Sequence, residues 1–314
     1  MRVVSADSIF RIGKTHLVCQ DYAAHYTSGE VAIAHLSDGC STATSPHHAD
    51  GSGQSGRLVY TDFGSRLLVL AAQRSTICAL NKREHDPSIA DTHSAVKEAV
   101  DHAKLLGLGS DAVSATLLGT RLEWSMLIGS VSGDGWLAAR GRNGRWEIIQ
   151  VDFISGAPCY PRYSLNEDDY SSYIAAFGGK YEVRMWHDWE PGTPLGSPII
   201  RSCEMDEIGS AGVIPDHEDE FFWPVAEFDL LLAFSDGLGT FGKQVVTSTS
   251  RDTVPVPVGD VLTSIVTSIK GTRGTFLSRN LYGPVGAFKT FAREGWEHHD
   301  DLSICGVYCS GVEQ

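Results

Sequence analysis

The sequence FDLLLAFSDG, residues 228–237, is an apolar run that ends on an acid and a glycine. An unbroken apolar run predicts an interior strand, because a strand that is covered on both faces needs apolar side chains on both. Asp236 stands at the exit of this strand, and Gly237 lets the backbone turn sharply without placing a side chain beside the carboxylate. The stretch therefore predicts a buried strand that carries an acidic functional group at its end.

The same pattern recurs along the chain. The run VAIAHLSDG, residues 31–39, again places an acid, Asp38, between a serine and a glycine at the end of an apolar strand. Other acids lie next to predicted strands in a comparable way: Asp21, Asp134 after the strand at 124–131, and Asp300 and Asp301 before the strand at 302–308. The repetition indicates that these carboxylates form a set.

One Asp-Gly pair alone is usually an ordinary turn. A set of acids with few basic neighbours has a different implication, since carboxylates that lie close together raise each other's pKa unless a cation neutralises them. An all-oxygen set of ligands suits Mg²⁺ or Mn²⁺ better than Zn²⁺, which prefers His and Cys. The pattern therefore predicts a site for hard divalent cations.

In their order and context, these motifs resemble those of the metal-dependent, PPM-type phosphatases of the protein phosphatase 2C family, of the bacterial type. The resemblance spans almost the whole chain and rests on Gln20-Asp21, Ser37-Asp38-Gly39, Gly133-Asp134-Gly135, Phe234-Ser235-Asp236-Gly237 and Asp300-Asp301-Leu302-Ser303. It implies an α+β fold, a four-layer αββα sandwich of two antiparallel sheets flanked by helices. It also implies a single domain over residues 1–314, with a variable, flap-like segment at about 152–227.

The resemblance further implies a two-metal centre at one end of the sandwich. Asp38 would bridge both ions, and the Gly39 carbonyl would help to hold one of them. Asp236 and Asp300 would hold the first ion, and Asp21 would contact the second mainly through water. The implied metal ligands are Asp21, Asp38, Gly39, Asp134, Asp236, Asp300 and Asp301, and the implied catalytic residues are Asp21, Asp38, Asp236, Asp300 and His16.

Two positions depart from the family pattern. Animal members carry a phosphate-binding arginine five residues before the first metal-site acid, where this chain has His16. Histidine can donate a hydrogen bond to phosphate, but it lacks the bidentate fork and permanent charge of a guanidinium. Arg140 and Arg142 are candidates to replace the missing arginine. Thr240 stands where the family often has an acid for a third metal, so we expect two ions.

The composition bears on the class of partner. A net charge of −14 with scattered basic residues argues against nucleic acid, whose phosphates would be repelled. No stretch approaches the roughly 18–20 apolar residues of a membrane span, and residues 1–7 lack the apolar core of a signal peptide. Seven cysteines without a C-x-x-C spacing fit reduced thiols. We therefore expect a cytoplasmic protein without a membrane or nucleic-acid partner.

Periodicity predicts helices that begin at Thr61 and at about residue 91. The buried stripe of the first is expected at Phe63, Leu67, Leu70 and Ala71. Within residues 152–227, the aromatic residues are candidates either for substrate contact or for a satellite core: Tyr160, Tyr163, Trp186 and Trp189. Two histidine pairs, His47-His48 and His298-His299, are candidates for metal contact and for proton donation, respectively.

The function that these observations and the resemblance predict is a Mg²⁺- or Mn²⁺-dependent phosphoserine/phosphothreonine protein phosphatase acting in signalling. The resemblance implies that a water shared by two metals attacks phosphorus, with no covalent enzyme intermediate. The expected substrate is a phosphorylated protein, a kinase or a kinase target. Two alternatives remain open, a regulatory pseudophosphatase that binds a phosphorylated partner and a phosphatase of a small phosphoester.

Overall fold

A computed structural model describes residues 3–40, 60–82, 92–205, 218–246 and 251–311 of the chain. The predicted pair His47-His48 lies outside the described residues. The strands are β1 (Val4–Arg11), β2 (Tyr22–Ser28), β3 (Val31–Ser37), β4 (Leu117–Glu123), β5 (Met126–Ser132), β6 (Gly135–Gly141), β7 (Trp146–Phe153), β8 (Lys180–Trp189), β9 (Ile199–Glu204), β10 (Asp219–Pro224), β11 (Phe228–Phe234), β12 (Phe241–Val246), β13 (Arg251–Pro255), β14 (Trp296–His298) and β15 (Leu302–Cys309). The helices are α1 (Thr61–Lys82), α2 (Thr92–Leu105), α3 (Glu167–Phe177), α4 (Val258–Ser268), α5 (Phe276–Leu281) and α6 (Ala287–Glu294).

Two large antiparallel sheets form the centre of the fold. The seven-stranded sheet has the order β1-β15-β11-β6-β7-β8-β9, and the five-stranded sheet has the order β10-β5-β4-β3-β2. A small sheet of β13, β12 and β14 lies beside them. The strand that ends on Asp236, β11, lies in the interior of the larger sheet and is buried from Leu230 onward, as its apolar sequence predicts.

Three buried clusters define four layers. The central cluster joins the two sheets through side chains such as Leu118 of β4 and Leu231 of β11. A second cluster packs the outer face of the larger sheet against α4, α5 and α6, and a third packs α1 and α2 against the smaller sheet. The α+β, four-layer αββα arrangement with two antiparallel sheets is therefore confirmed.

The buried face of α1 differs from the prediction. Phe63 and Leu70, expected in its buried stripe, have exposed fractions of 47% and 49%. The buried residues of α1 include Ser65, whose hydroxyl donates to the Gln20 carbonyl, and Leu68 and Ala72, which pack in the cluster shared with α2. α2 begins close to the predicted residue 91, and one of its faces is buried through Val96, Ala99, Val100 and Ala103. The other two residues predicted for α1 agree better, since Ala71 is buried and Leu67 is partly buried. Apolar residues surround α1 on more than one side, so periodicity alone predicts its buried face only in part.

The segment at 152–227 contributes strands to both sheets. β8 and β9 extend the larger sheet, and β10 forms an edge of the smaller one. Trp186 and Trp189 are buried in the cluster beneath α4, where Trp186 stacks on Trp136 with ring centroids 6.0 Å apart. These two tryptophans therefore belong to a core, which was one of the two predicted alternatives. The interpretation of the whole segment as a flap stays a prediction.

None of the helices in the described part of the chain combines the length and apolar character that a membrane-crossing helix needs.

Candidate metal centre and active site

Antiparallel pairing brings the predicted acids to one end of the sandwich. In the smaller sheet, the start of β2 pairs with the end of β3, with Tyr22 opposite Ser37. Asp21, which precedes β2, and Asp38, which follows β3, therefore lie at the same end of this sheet. In the larger sheet, Phe234 at the end of β11 pairs with Ile304 and with Trp136. The acids next to these strand ends therefore lie together at one end of the sandwich, and each motif contributes one or two of them. They are Asp21, Asp38, Asp134, Asp236, Asp300 and Asp301.

Asp21, Asp38 and Asp236 form the centre of this acid cluster. The carboxyl group of Asp38 lies within hydrogen-bond reach of those of Asp21 and Asp236. Asp21 is buried, and its Oδ2 accepts a hydrogen bond from Ser303 Oγ at 2.5 Å. Because Asp21 precedes β2 and Ser303 lies on β15, this bond joins the two sheets at the site. The role of Ser303 was missed, although it lies only two residues after Asp301 in the sequence.

The electrostatics of the acid cluster are those of crowded, buried carboxyl groups. Burial raises the pKa of Asp21 to about 7, against the opposing effect of its hydrogen bonds with Asp38, Ser303 and Ser235. Burial, together with the charges of Asp21 and Asp236, holds the pKa of Asp38 well above its usual range. Burial and the charge of Asp236 also raise the pKa values of Asp134 and Asp300. The protein alone therefore does not neutralise this charge.

The backbone around Asp38 is fixed by the segment that precedes β4. Asp38 N donates to Thr116 Oγ1 at 3.2 Å, and Thr116 N donates to the Asp38 carbonyl at 2.9 Å. Gly39 forms an isolated bridge with Ala115, and a Cβ at Gly39 would lie 2.7 Å from the Gln20 carbonyl oxygen. The glycine thus allows the segments carrying Asp21 and Asp38 to approach closely, and assignment of its carbonyl as a metal ligand stays a prediction.

Gly237 has a similar packing role. A Cβ at this position would lie 1.8 Å from the Asp301 carbonyl oxygen, so only glycine lets the turn after Asp236 lie against the segment before β15. Thr240 supports the same junction, because its hydroxyl donates to the Gly237 carbonyl at 2.9 Å and accepts from Asp300 N at 3.2 Å. Thr240 therefore orients Asp300 at the position where the family often has an acid.

Asp301 anchors the loop that precedes β2. Its buried carboxylate accepts from Gly13 N at 2.6 Å and from Gln20 N at 2.5 Å. These bonds engage both of its oxygens and hold the loop that carries His16. A part for Asp301 in metal binding stays a prediction, whereas its structural role is evident.

His16 faces the acid pair. Its Nδ1 lies 3.1 Å from Asp301 Oδ2, and its Nε2 lies 3.4 Å from Asp300 Oδ1. Its side chain is 17% exposed, so one part of the ring remains open to the surface. The histidine thus lies at the rim of the acid cluster.

The two arginines considered as replacements for the family arginine have other partners. Arg140 makes a bidentate pair with Asp229, with distances of 2.8 Å and 3.1 Å. Arg142 donates to the carbonyl oxygens of Val225 and Cys309. Both guanidinium groups therefore stabilise the larger sheet, and the prediction that one of them serves the phosphate is not supported.

Of the pair His298-His299, the first is structural. His298 is buried, packs on Phe241 with ring centroids 5.4 Å apart, and places Nδ1 2.8 Å from the Asp300 carbonyl oxygen. Burial lowers its pKa, and the charge of Arg11 acts in the same direction, so the ring is neutral near pH 7 and is a poor proton donor.

Tyr160 is the aromatic residue of the 152–227 segment that lies at the acid cluster. Its hydroxyl hydrogen-bonds with the Cys40 thiol and lies near Asp134 and Asp38, and burial together with these neighbours raises its pKa. It therefore stays protonated and can donate a hydrogen bond. Arg162 fixes the turn that follows, because its Nε donates to Ser114 Oγ at 2.6 Å. Substrate contact by Tyr160 stays a prediction, with a position that suits it.

The donor chemistry of the acid cluster fits a hard cation. Within the described residues, no group of three or more His, Cys, Asp or Glu side chains has the arrangement of a formed metal site. Two carboxylate oxygens of the cluster, Asp21 Oδ1 and Asp236 Oδ1, are buried without a hydrogen-bond partner among the described residues. Buried orphan carboxylate oxygens are costly unless a cation or proton satisfies them. An all-oxygen set of carboxylates that requires a cation suits Mg²⁺ or Mn²⁺.

Comparison with known proteins gives structural similarities only. No protein-family model and no curated protein matches the chain. Among solved structures, it is similar to the serine/threonine phosphatase of S. agalactiae, with a TM-score of 0.46 and 15% identity over 98% of this chain and 99% of the other. It is also similar to the Mycobacterium tuberculosis serine/threonine phosphatase PstP/Ppp (TM-score 0.45, 14% identity, 97% and 98% covered). A third is the PPM Ser-Thr phosphatase MsPP of Mycobacterium smegmatis, in complex with cacodylate (TM-score 0.46, 13% identity, 97% of each covered). Similarities at this level do not by themselves assign the chain to a family.

The raised pKa values predict how pH and metal together affect stability. A carboxyl group whose pKa is higher in the folded than in the unfolded state stabilises the fold at low pH, and this contribution is lost as pH rises through the folded pKa. For Asp21 the loss falls between about pH 4 and its folded value of about 7. Mn²⁺ binds the ionised form, so we expect its increase in Tm to be larger at about pH 7.5 than at about pH 5.5.

Thermal unfolding of metal-free protein at both pH values, with and without Mn²⁺, measures this difference. His35, whose pKa burial lowers to about 4, destabilises the fold as pH falls below about 6.5. Its effect is the same with and without metal, so it cancels from the Mn²⁺-induced change. An equal Mn²⁺ effect at the two pH values would show that metal binding does not involve these carboxyl groups.

Proposed function

We propose that this chain is a Mg²⁺- or Mn²⁺-dependent phosphatase of the PPM type that hydrolyses phosphoserine and phosphothreonine in proteins. The observation that carries the proposal is the convergence of six carboxylates from both sheets at one end of the sandwich. Among the described residues, no lysine or arginine pairs with them, and His16 is their one basic partner. Such a concentration of charge is useful where cations bind and bring a phosphate with them.

Two ions are proposed, held by residues of both sheets. Asp38, which lies between Asp21 and Asp236 in the acid cluster, is the residue suited to bridge them. Asp236 and Asp300 would complete one position, and Asp21 would support the other, with Asp134 and the Gly39 carbonyl nearby. When bound, the ions would neutralise phosphate charge and lower the pKa of a water.

The remaining steps fall to the side chains around the acid cluster. Ser303 holds Asp21 by hydrogen bonding to one oxygen, and the other oxygen has no hydrogen-bond partner among the described residues. We propose that His16, which lies beside Asp300 and Asp301, turns from them to donate a hydrogen bond to a phosphate oxygen, and that the Tyr160 hydroxyl donates another. Asp301 keeps the His16 loop in position through the two backbone N–H groups that it accepts from. Positioning and charge stabilisation supply most of the catalysis of phosphoryl transfer.

A panel of phosphopeptides and phosphorylated metabolites, assayed with Mn²⁺, tests the proposal. We expect hydrolysis of phosphoserine and phosphothreonine peptides with a higher kcat/KM than that of the small phosphoesters. Peptide binding without turnover would instead support a regulatory pseudophosphatase, which the replacement of the arginine by His16 favours. Hydrolysis of small phosphoesters alone would support the second alternative. Localisation in the cytoplasm and a kinase or kinase target as partner remain proposals.

The substitution His16→Arg is expected to lower KM for phosphate esters by about tenfold and to make it less dependent on pH. A guanidinium stays charged where an imidazole is neutral, and its bidentate contact is worth about 1.5 kcal/mol more than a single neutral hydrogen bond. Steady-state kinetics from about pH 6 to about pH 9 measure this effect. His93→Arg, an exposed position on α2, is the matched control. If KM and its pH profile match those of the unsubstituted protein, His16 does not contact the phosphate.

A further inference from the structure

A cleft of about 450 Å³ lies on the outer side of the larger sheet, and none of the acids of the acid cluster lines it. Its walls come from the end of β1, from α6 and from β14. Four aromatic residues line it, Phe241, Phe288, Phe291 and Trp296. Phe291 stacks on Trp296 with centroids 5.8 Å apart and contacts Phe288 edge-on at 5.9 Å. The packed rings give the cleft a rigid apolar floor.

Two basic residues lie at the mouth of this cleft, and among the described residues only one of them has an acidic partner. Lys14 is neutralised by an ion pair with Glu297. Arg11 is exposed, and its guanidinium lies over the ring of Phe288, 4.8 Å from the centroid. Within the described residues, no carboxylate pairs with Arg11, in a chain whose net charge is −14. A guanidinium that contacts a ring through its face still has N–H groups that can bind a carboxylate or phosphate.

We propose that this cleft binds a small planar aromatic molecule that carries a carboxylate or a phosphate. The aromatic part would stack on the floor beside Trp296, and the anion would pair with Arg11. The volume falls within the range of small-molecule pockets, roughly 300–1,000 Å³, and the combination of apolar walls with one oriented charged group is typical of them. The proposal does not depend on the proposed phosphatase activity.

The cleft shares its wall with the loop that carries His16. Lys14 N donates to the His298 carbonyl at 3.0 Å, and the neighbouring Gly13 N donates to Asp301. A ligand in the cleft would therefore contact the segments that lead to His16 and to Asp300 without touching the acids themselves.

The test is a titration by calorimetry with 2-naphthoate as the probe, in EDTA. We expect saturable binding with a dissociation constant of about 1 mM or tighter, given the small size of the probe. Arg11→Gln should weaken it at least about tenfold, as should replacing the probe by neutral 2-naphthalenemethanol. 2-Naphthyl phosphate, also in EDTA, shows whether phosphate or carboxylate is preferred, and either preference fits the proposal.

Arg293→Gln is the matched control, because Arg293 is an exposed arginine of α6 that does not line the cleft. It should leave binding unchanged, and Asp236→Asn should do the same, which separates this site from the acid cluster. The proposal is overturned if the protein shows no saturable binding, if Arg11→Gln binds as tightly as the unsubstituted protein, or if the neutral probe binds equally well.

Discussion

Asp236→Asn is expected to lower kcat by at least about a hundredfold while leaving the fold intact. The substitution removes one anionic ligand, which weakens metal binding and leaves the charge of the remaining ion less balanced. The side chain keeps its size, so the packing around Gly237 should survive. The charge of Asp236 raises the pKa values of Asp38, Asp134 and Asp300. Its loss should therefore reduce the electrostatic repulsion among the remaining carboxylates. The Tm of the metal-free variant should therefore not fall.

Asp101→Asn is the control for this prediction, since Asp101 is an exposed residue of α2. It removes the same charge from the chain, and it should change kcat little. Steady-state hydrolysis of an aryl phosphate with saturating Mn²⁺ measures both variants, and thermal unfolding shows whether they are folded. Similar kcat values for the two variants would mean that Asp236 is an ordinary turn residue after β11.

Removal of metal is expected to abolish activity, and added Mn²⁺ should restore it. Near neutral pH the acid cluster offers carboxyl groups but no strong base, and water needs a bound cation to become an effective nucleophile there. Burial also holds the thiol of Cys19 near the cluster protonated, with its pKa raised to about 12, so a cysteine nucleophile is disfavoured at that position.

Hydrolysis is measured after treatment with EDTA, after removal of the chelator, and after addition of Mn²⁺ or Mg²⁺. Zn²⁺ is a useful comparison, because all-oxygen ligands favour the harder ions. Full activity in excess EDTA would be incompatible with the proposed metal-dependent reaction.

The sequence alone predicts the fold class and the place of the acids because both depend on local patterns. Apolar runs that end in Ser-Asp-Gly predict buried strands with an acid at the exit, and antiparallel pairing then brings such exits together. Asp38 and Asp236 illustrate this, since each follows an interior strand of a different sheet. The resemblance to a known family supplied the order of the layers.

The rest of the site depends on contacts between distant parts of the chain, which no local pattern reveals. Asp301 accepts hydrogen bonds from Gly13 and Gln20, more than 280 positions away. Arg140 has a partner, Asp229, that the sequence does not indicate, and this partner removes it as a phosphate ligand. Phe63 and Leu70 were wrong for a related reason, because a helix with apolar residues on several sides does not reveal which side is covered.

The most direct test of the account is the number of Mn²⁺ ions that the folded chain binds. Metal-free protein is dialysed to equilibrium against Mn²⁺ at about pH 7.5, above the pKa of about 7 to which burial raises Asp21, and bound manganese is determined by mass spectrometry. The account predicts about two ions per chain, fewer in Asp236→Asn, and an unchanged number in Asp101→Asn. Absence of bound manganese, or equal binding by the Asp236→Asn variant, would contradict it.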